Sequence, residues 1–348
     1  MSANTKTVVR FDNFINPAFP ARLAAEPDIE YIELDRNDEA AGFEAMARAH
    51  VYHIQAAKDE VLNHWRADAP LLARAPNLLA VSSSGAGYDT CDAAACTEAG
   101  VLLVNQAGGN AQSVAEHTLA LMLDLSKRIS ENDRLLRSDK RDYPRESLMG
   151  REISGRRIGV VGIGEVGSRV AKLAIAFGMD VLATDPNVDA DTVSARGARK
   201  VELNELLSQS DFVSIHCPRI PTTVNMINEA AFKAMKPGAI FITTARGGIH
   251  DEKALSAAMD SGHIAGAGLD VWDVEPPPID HPLLARTNVV STYHTAGVTS
   301  EARQRVAQYA SDQIVELLSG KRPPRIVNPD AWPAYVKRFE KIMGKTPS

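Results

Sequence analysis

The chain has 348 residues, of which 45% are hydrophobic, 24% charged and only 5% aromatic. These proportions exclude disordered, collagenous and disulfide-stapled classes, and at roughly 150 residues per domain the length predicts two domains of ordinary size. Thirty-eight Lys and Arg against 44 Asp and Glu leave a formal charge of -6, which offers no basic footprint for nucleic acid or an anionic membrane and favours a small-molecule partner.

Short β-branched runs alternate with Ala- and Leu-rich amphipathic stretches, the pattern of parallel sheets covered by helices on both faces. In a first block the extended runs are 7–11, 29–34, 51–54, 78–82 and 101–104, with helical stretches such as 59–64 and 91–98 between them. Residues 113–137 carry Val114, His117, Leu121, Leu125 and Ile129 at helical spacing, which predicts one helix of about seven turns, longer than the usual globular helix. After Gly150 a second block has strands expected at 157–161, 180–184, 212–215, 239–243, 264–269 and 289–292. A last helix over 300–318 ends at Gly320 ahead of Pro323-Pro324, and the tail beyond it is expected to return to the first block.

Cys91, Cys96 and Cys217 are an odd number and stand apart from any cluster at zinc-ligand spacing. Neither a disulfide framework nor a metal site is expected, and a reducing cytoplasm fits. Residues 1–11 lack the apolar core and cleavage site of a signal peptide, and no apolar run reaches the length of about eighteen residues that a membrane span needs.

Gly162, Gly164 and Gly167 form a Gly-x-Gly-x-x-Gly motif directly after the strand 157–161 and before the amphipathic stretch 168–177. The first glycine permits a tight turn, the second lets the backbone approach a pyrophosphate, and the third lets helix and strand pack closely. Glu165 and Val166 lie within the same turn, and Asp185 follows Gly167 by eighteen residues at the end of the next strand, placed to accept from ribose hydroxyls. Asp185 would repel a 2′-phosphate and no arginine follows it in Pro186-Asn187-Val188, so NAD is expected rather than NADP.

Several ordered pieces together resemble the D-isomer-specific 2-hydroxyacid dehydrogenases: Ser84-Gly85-Ala86-Gly87-Tyr88-Asp89, residues 110–116, the glycine motif with Asp185, Thr244-Ala245-Arg246-Gly247, Gly268-Leu269-Asp270-Val271 with Glu275-Pro276, and His294-Thr295-Ala296-Gly297. The resemblance implies an α/β fold of two doubly wound parallel-sheet domains. A Rossmann NAD-binding domain (110–302) would be inserted into a flavodoxin-like substrate domain (1–109 and 303–348). Carried over position by position, Arg246, Glu275 and His294 match the catalytic residues of the family, with His294, Arg246, Thr244, Ala245, Asp270 and Gly297 also near the nicotinamide. His216, Cys217, Pro218 and Thr223 match the loop on the adenine side.

The residue types suit the chemistry. Reducing a 2-keto acid needs a proton for the carbonyl oxygen, which an imidazole supplies near neutral pH, and a cation for the carboxylate, which an arginine holds in a fork. Each residue has a plainer alternative: His294 a surface histidine, Glu275 a solvated acid in a Pro-rich loop, Asp270 a cap for the loop after it. By the same resemblance Ser84, Gly85, Ala86 and Gly87 bind the substrate carboxylate with Arg246 and His294, although a Gly-rich strand-to-helix turn needs no ligand.

His53 and Gln55 are expected to face the distal end of the substrate; they depart from the Arg-Ser-rich pattern of the phosphoglycerate dehydrogenases and lean toward a short hydrophilic acid such as glyoxylate or hydroxypyruvate. The segment 113–149 resembles the family's dimer arm, which implies a homodimer. Two other readings stay open: a dehydrogenase for another small anion such as phosphite, and an NAD-sensing protein like the corepressors that share the fold.

Overall fold

The structure, a computed structural model, describes residues 5–138 and 142–348. The chain divides into two compact units, residues 1–110 with 299–348, and residues 111–298.

The first unit is built on β1 (Lys6–Phe11), β2 (Ile29–Leu34), β3 (Val51–Gln55), β4 (Ala80–Ser84) and β5 (Leu102–Val104), all parallel, in the order β2-β1-β3-β4-β5. This is the flavodoxin-like order. Strand side chains alternate between two cores. Tyr52, Ile54, Val81 and Leu103 face one with Trp65, while Val51, Ala80, Leu102 and Val104 face the other with Phe19. The tail forms the helix Trp332–Met343 and packs Tyr335 and Phe339 into that second core, beside the helix Ser300–Ser319.

The second unit has β6 (Arg157–Val161), β7 (Asp180–Thr184), β8 (Arg199–Lys200), β9 (Phe212–Ile215), β10 (Ala239–Thr243), β11 (Ile264–Leu269) and β12 (Val289–Ser291). The parallel order β12-β11-β10-β9-β6-β7-β8 is the Rossmann order with one further strand at the edge, and it reverses direction between β9 and β6. Among the described residues, no helix is long and apolar enough to cross a membrane.

Three expectations change. The span 113–137 is not one helix: Ala111–Lys127 ends at Arg128, whose φ of 54° is left-handed, and a second helix runs over Ile129–Leu136. Asp124 explains the break, because its carboxylate accepts the Ser130 N–H at 2.7 Å and so starts the second helix, while Arg128 grips Glu131 at 2.6 Å. The apolar spacing runs across the break and hides it. Residues 59–64 form two single 3-10 turns, Lys58–Glu60 and Asn63–Trp65, in place of a helix. Residue 302, the expected end of the inserted domain, lies inside the helix Ser300–Ser319, which Thr299 caps from its first turn.

Candidate active site

The three residues expected to react leave the carboxyl ends of three neighbouring strands. Arg246 follows β10, Glu275 follows β11 and His294 follows β12, and β10, β11 and β12 are adjacent in the sheet. Loops at strand ends with this adjacency meet over the sheet edge. Gly247 makes the meeting tight: a Cβ there would lie 1.9 Å from the Trp272 carbonyl, so the turn after β10 presses on the loop after β11. The Gly248 N–H then donates to Asp273 at 2.6 Å and ties the two loops together.

His294 Nδ1 and Glu275 Oε2 are 2.8 Å apart, both side chains about two-thirds buried, and Glu275 Oε1 accepts the Trp272 N–H at 3.0 Å. Burial pushes the Glu275 carboxyl up. The hydrogen bond and charge of His294, the Trp272 N–H and the Arg246 guanidinium outweigh it and hold the group below its ordinary value. Glu275 is therefore ionised at neutral pH and fixes the ring that it faces. His294 Nε2 has no hydrogen bond among the described residues, so it is the nitrogen left to meet a ligand. Arg246 Nη1 donates to its neighbour's carbonyl, Ala245 O, at 2.6 Å.

His294 adopts a left-handed φ of 49°, and a buried acid holds it there. Asp270 is fully buried; its Oδ1 accepts from Thr292 Oγ1 at 2.6 Å and from the Thr295 N–H at 2.8 Å, and its Oδ2 from the Ala296 N–H at 3.0 Å. The Asp270 carbonyl also accepts the His294 N–H at 2.8 Å. Asp270 thus captures the loop on either side of His294, ahead of Gly297, in the capping manner that was its plainer alternative. Two side chains of the helix Ala111–Lys127 complete this support: Ser113 Oγ donates to the Ala296 carbonyl at 2.6 Å, and His117 Nε2 reaches Thr292 Oγ1 at 3.0 Å. Since Thr292 gives its only proton to Asp270, His117 is the donor in that pair.

At the glycine turn after β6 each glycine has its own reason. Gly162 has φ +90° and a Cβ there would sit 2.8 Å from the Cys217 nitrogen; a Cβ on Gly167 would collide with the Gly162 carbonyl at 2.0 Å. Around Gly164 a Cβ would meet nothing within 4 Å, so open space lies in front of the N-terminus of the helix Glu165–Ala176. That opening and the unopposed helix N-terminus fit a pyrophosphate. Asp185 stands beside the turn, accepting the Ile163 N–H at 3.1 Å. Glu165 pairs with Arg169 at 2.7 Å, and Val166 lies half-buried against the core under the turn.

After β9, His216 is half-buried with its Nε2 2.8 Å from Ser214 Oγ, and desolvation lowers its pKa to about 3, so it is a neutral ring. Thr223 closes the adjoining loop by donating to the Pro218 carbonyl at 2.7 Å, and Thr244 Oγ1 lies 3.2 Å from Thr118 Oγ1 beneath the turn after β10.

In the first unit β4 runs to Ser84, and the loop after it has its carbonyls tied inward. Gly85 O accepts from the Gln106 N–H at 2.7 Å, Ala86 O from Asn105 Nδ2 at 2.8 Å and Gly87 O from Ser83 Oγ at 2.7 Å. The Gly85 N–H, expected to face a carboxylate, is instead given to Gln106 Oε1 at 2.9 Å. The Ala86 and Gly87 N–H groups have no hydrogen bond among the described residues. Gln55 also differs from expectation: buried, it donates to the Phe14 carbonyl at 3.0 Å. His53 is buried too, stacked on Phe19 with ring centroids 4.5 Å apart. Both line a cavity at the ends of β1 and β3, with Arg10, Asn13 and Arg36.

Residues 119–296 match the model of the D-isomer specific 2-hydroxyacid dehydrogenase family's NAD binding domain. The chain belongs to this family. It is 40% identical over 268 residues to a D-3-phosphoglycerate dehydrogenase of Archaeoglobus fulgidus, covering 77% of this chain and 50% of that one. It is 38% identical over 279 residues to a glyoxylate reductase of Thermofilum pendens, covering 79% and 81%. A solved D-lactate dehydrogenase of Aquifex aeolicus, in complex with NAD and lactic acid, superposes with a TM-score of 0.76 at 27% identity over 90% of this chain and 96% of that one. The chain spans about half the length of the phosphoglycerate dehydrogenases that it matches.

Proposed function

We propose that the protein interconverts a short 2-keto acid and the matching D-2-hydroxy acid with NAD. The observation that carries this reading is the 2.8 Å pair of His294 and Glu275 with His294 Nε2 left over, on a loop that a buried aspartate holds in place. In reduction, His294 donates the Nε2 proton to the carbonyl oxygen as it gains charge; in oxidation the same nitrogen takes the hydroxyl proton. Glu275 favours the imidazolium and keeps the ring aimed. Arg246 binds the substrate carboxylate and polarises the carbonyl, and the Ala86 and Gly87 amides are further carboxylate donors.

NAD, bound along Gly162, Gly164, Gly167 and Asp185, supplies the hydride acceptor, or when reduced the hydride donor. Asp185 selects NAD over NADP by repelling a 2′-phosphate. Unphosphorylated acids of glyoxylate or hydroxypyruvate size are assigned because the segment with His53 departs from the Arg-Ser-rich pattern of the phosphoglycerate dehydrogenases. Three free cysteines suit a reducing cytoplasm. We also assign a homodimer through the 113–149 arm, where Ile129, Leu136 and Met149 are exposed; residues 139–141 of that arm lie outside the described residues.

The test is NADH oxidation with a panel of short 2-keto acids and phosphite-type anions as controls. His294→Gln should lower kcat by about a hundredfold to ten-thousandfold, the usual worth of general acid catalysis, while NADH binding is kept. Tight NADH binding with no turnover of any acid would instead support the sensing reading. Light scattering that returns a monomer removes the dimer.

A further inference from the structure

The first unit holds a buried chain of hydrogen bonds through Gln106. It begins at the Gly85 N–H, which can only donate and therefore faces the oxygen of the Gln106 amide, at 2.9 Å. That settles the orientation of the amide and leaves Gln106 Nε2, also a pure donor, against Ser82 Oγ at 3.2 Å. Ser82 Oγ also lies 3.2 Å from His53 Nδ1. Gln106 and Ser82 are fully buried, so water does not compete for these bonds. Burial and the charge of Arg10 lower the pKa of His53 to about 3, which keeps the ring neutral.

We propose that Gln106 is a positioning residue for the substrate carboxylate, acting through the loop after β4. It pins Gly85 through two bonds, its own N–H to the Gly85 carbonyl and its Oε1 to the Gly85 N–H. This holds the loop with its carbonyls tied and leaves the Ala86 and Gly87 amides as its unbonded donors among the described residues. The inference rests on reading residues 84–87 as the carboxylate cradle, and its test separates the two.

Gln106→Leu keeps the volume and removes both side-chain bonds. KM for glyoxylate or hydroxypyruvate should rise about tenfold, the worth of one lost hydrogen bond to an anion cradle, with kcat and NADH binding within about twofold of wild type. Gln106→Glu keeps an acceptor for the Gly85 N–H but sets a negative charge behind the cradle when ionised, so its KM should come back toward wild type as pH is lowered. Amide hydrogen exchange of the whole protein should show a protected Gly85 N–H in wild type and loss of that protection in Gln106→Leu. An unchanged KM in Gln106→Leu, or a Gly85 N–H as protected there as in wild type, overturns the proposal. If wild type turns over no keto acid while Gly85 loses protection in Gln106→Leu, the reading of the cradle has failed and the carboxylate role of Gln106 fails with it.

Discussion

Replacing Glu275 with Gln removes the charge that faces His294 while leaving the volume nearly unchanged. A hydrogen bond to a charged partner is worth about 1.5–3 kcal/mol. The two side chains are 33% and 27% exposed, so solvent screens the pair and the lower part of that range applies, about 1.5–2 kcal/mol. At 1.36 kcal/mol per tenfold this is a loss of about tenfold to thirtyfold in rate. The sign follows from the charge: Glu275 stabilises the imidazolium, which is the acid in keto reduction, so Glu275→Gln should lower reduction. The assay is kcat/KM for the keto acid at neutral pH in wild type and variant, with NADH binding measured beside it. A kcat/KM that stays at the wild-type value, or rises, refutes the pairing as the origin of the acid. The same bond has a stability consequence. Because the Glu275 carboxyl is held below its ordinary value, the stabilisation it gives is present above the ordinary carboxyl range and lost as pH falls through the lowered value.

Arg246→Lys keeps the charge and loses the forked geometry, so kcat/KM for the keto acid should fall by about tenfold to a hundredfold with NADH binding unchanged, read by steady-state kinetics and NADH fluorescence titration. His250 is buried against Phe241 with neither ring nitrogen bonded among the described residues, and burial lowers its pKa to about 4. The unfolded chain takes up that proton near pH 6.5, so about 3 kcal/mol of stability is lost as pH falls from 6.5 to 4. His250→Leu should remove this acid sensitivity and gain about 1–3 kcal/mol at neutral pH, raising Tm by roughly 2–4 °C per kcal/mol in thermal melts across that range. Gly167→Ala places a methyl 2.0 Å from the Gly162 carbonyl, so the turn must open; a stability loss of about 1–3 kcal/mol by denaturant melts and weakened NADH binding are the expected results.

Strands and glycine turns were legible because their signals are local. β2, β6, β7, β9, β10 and β11 match their expected spans, since an apolar run bounded by turn residues is a property of the run itself. The break at Arg128 was not legible: the apolar stripe continues through it, and the capping bond comes from Asp124, six residues before Ser130. β8, two residues long, has too little sequence to carry a period. In the site, the resemblance to the family's motifs singled out Arg246, Glu275 and His294. The Trp272 N–H that fixes Glu275 is a backbone group at a position any residue would supply, and Ser113, His117 and Thr292 act across sequence distances that no local pattern spans.

Asp270 and Gln106 follow one physical rule in separate units. Each is fully buried, and each uses its side chain to occupy backbone N–H groups of a loop next to it. A buried amide or carboxylate that lacked such partners would cost about 1–3 kcal/mol or more, so the side chain holds the loop as firmly as the loop satisfies the side chain. The consequence is selective. Once Asp270 has taken the Thr295 and Ala296 amides, the loop's remaining polar group of note is the His294 ring; once Gln106 has taken Gly85, the remaining donors are the Ala86 and Gly87 amides. A polar group left over after the buried partners are counted is free to meet a ligand, and in each unit that remainder is a donor suited to an acceptor oxygen.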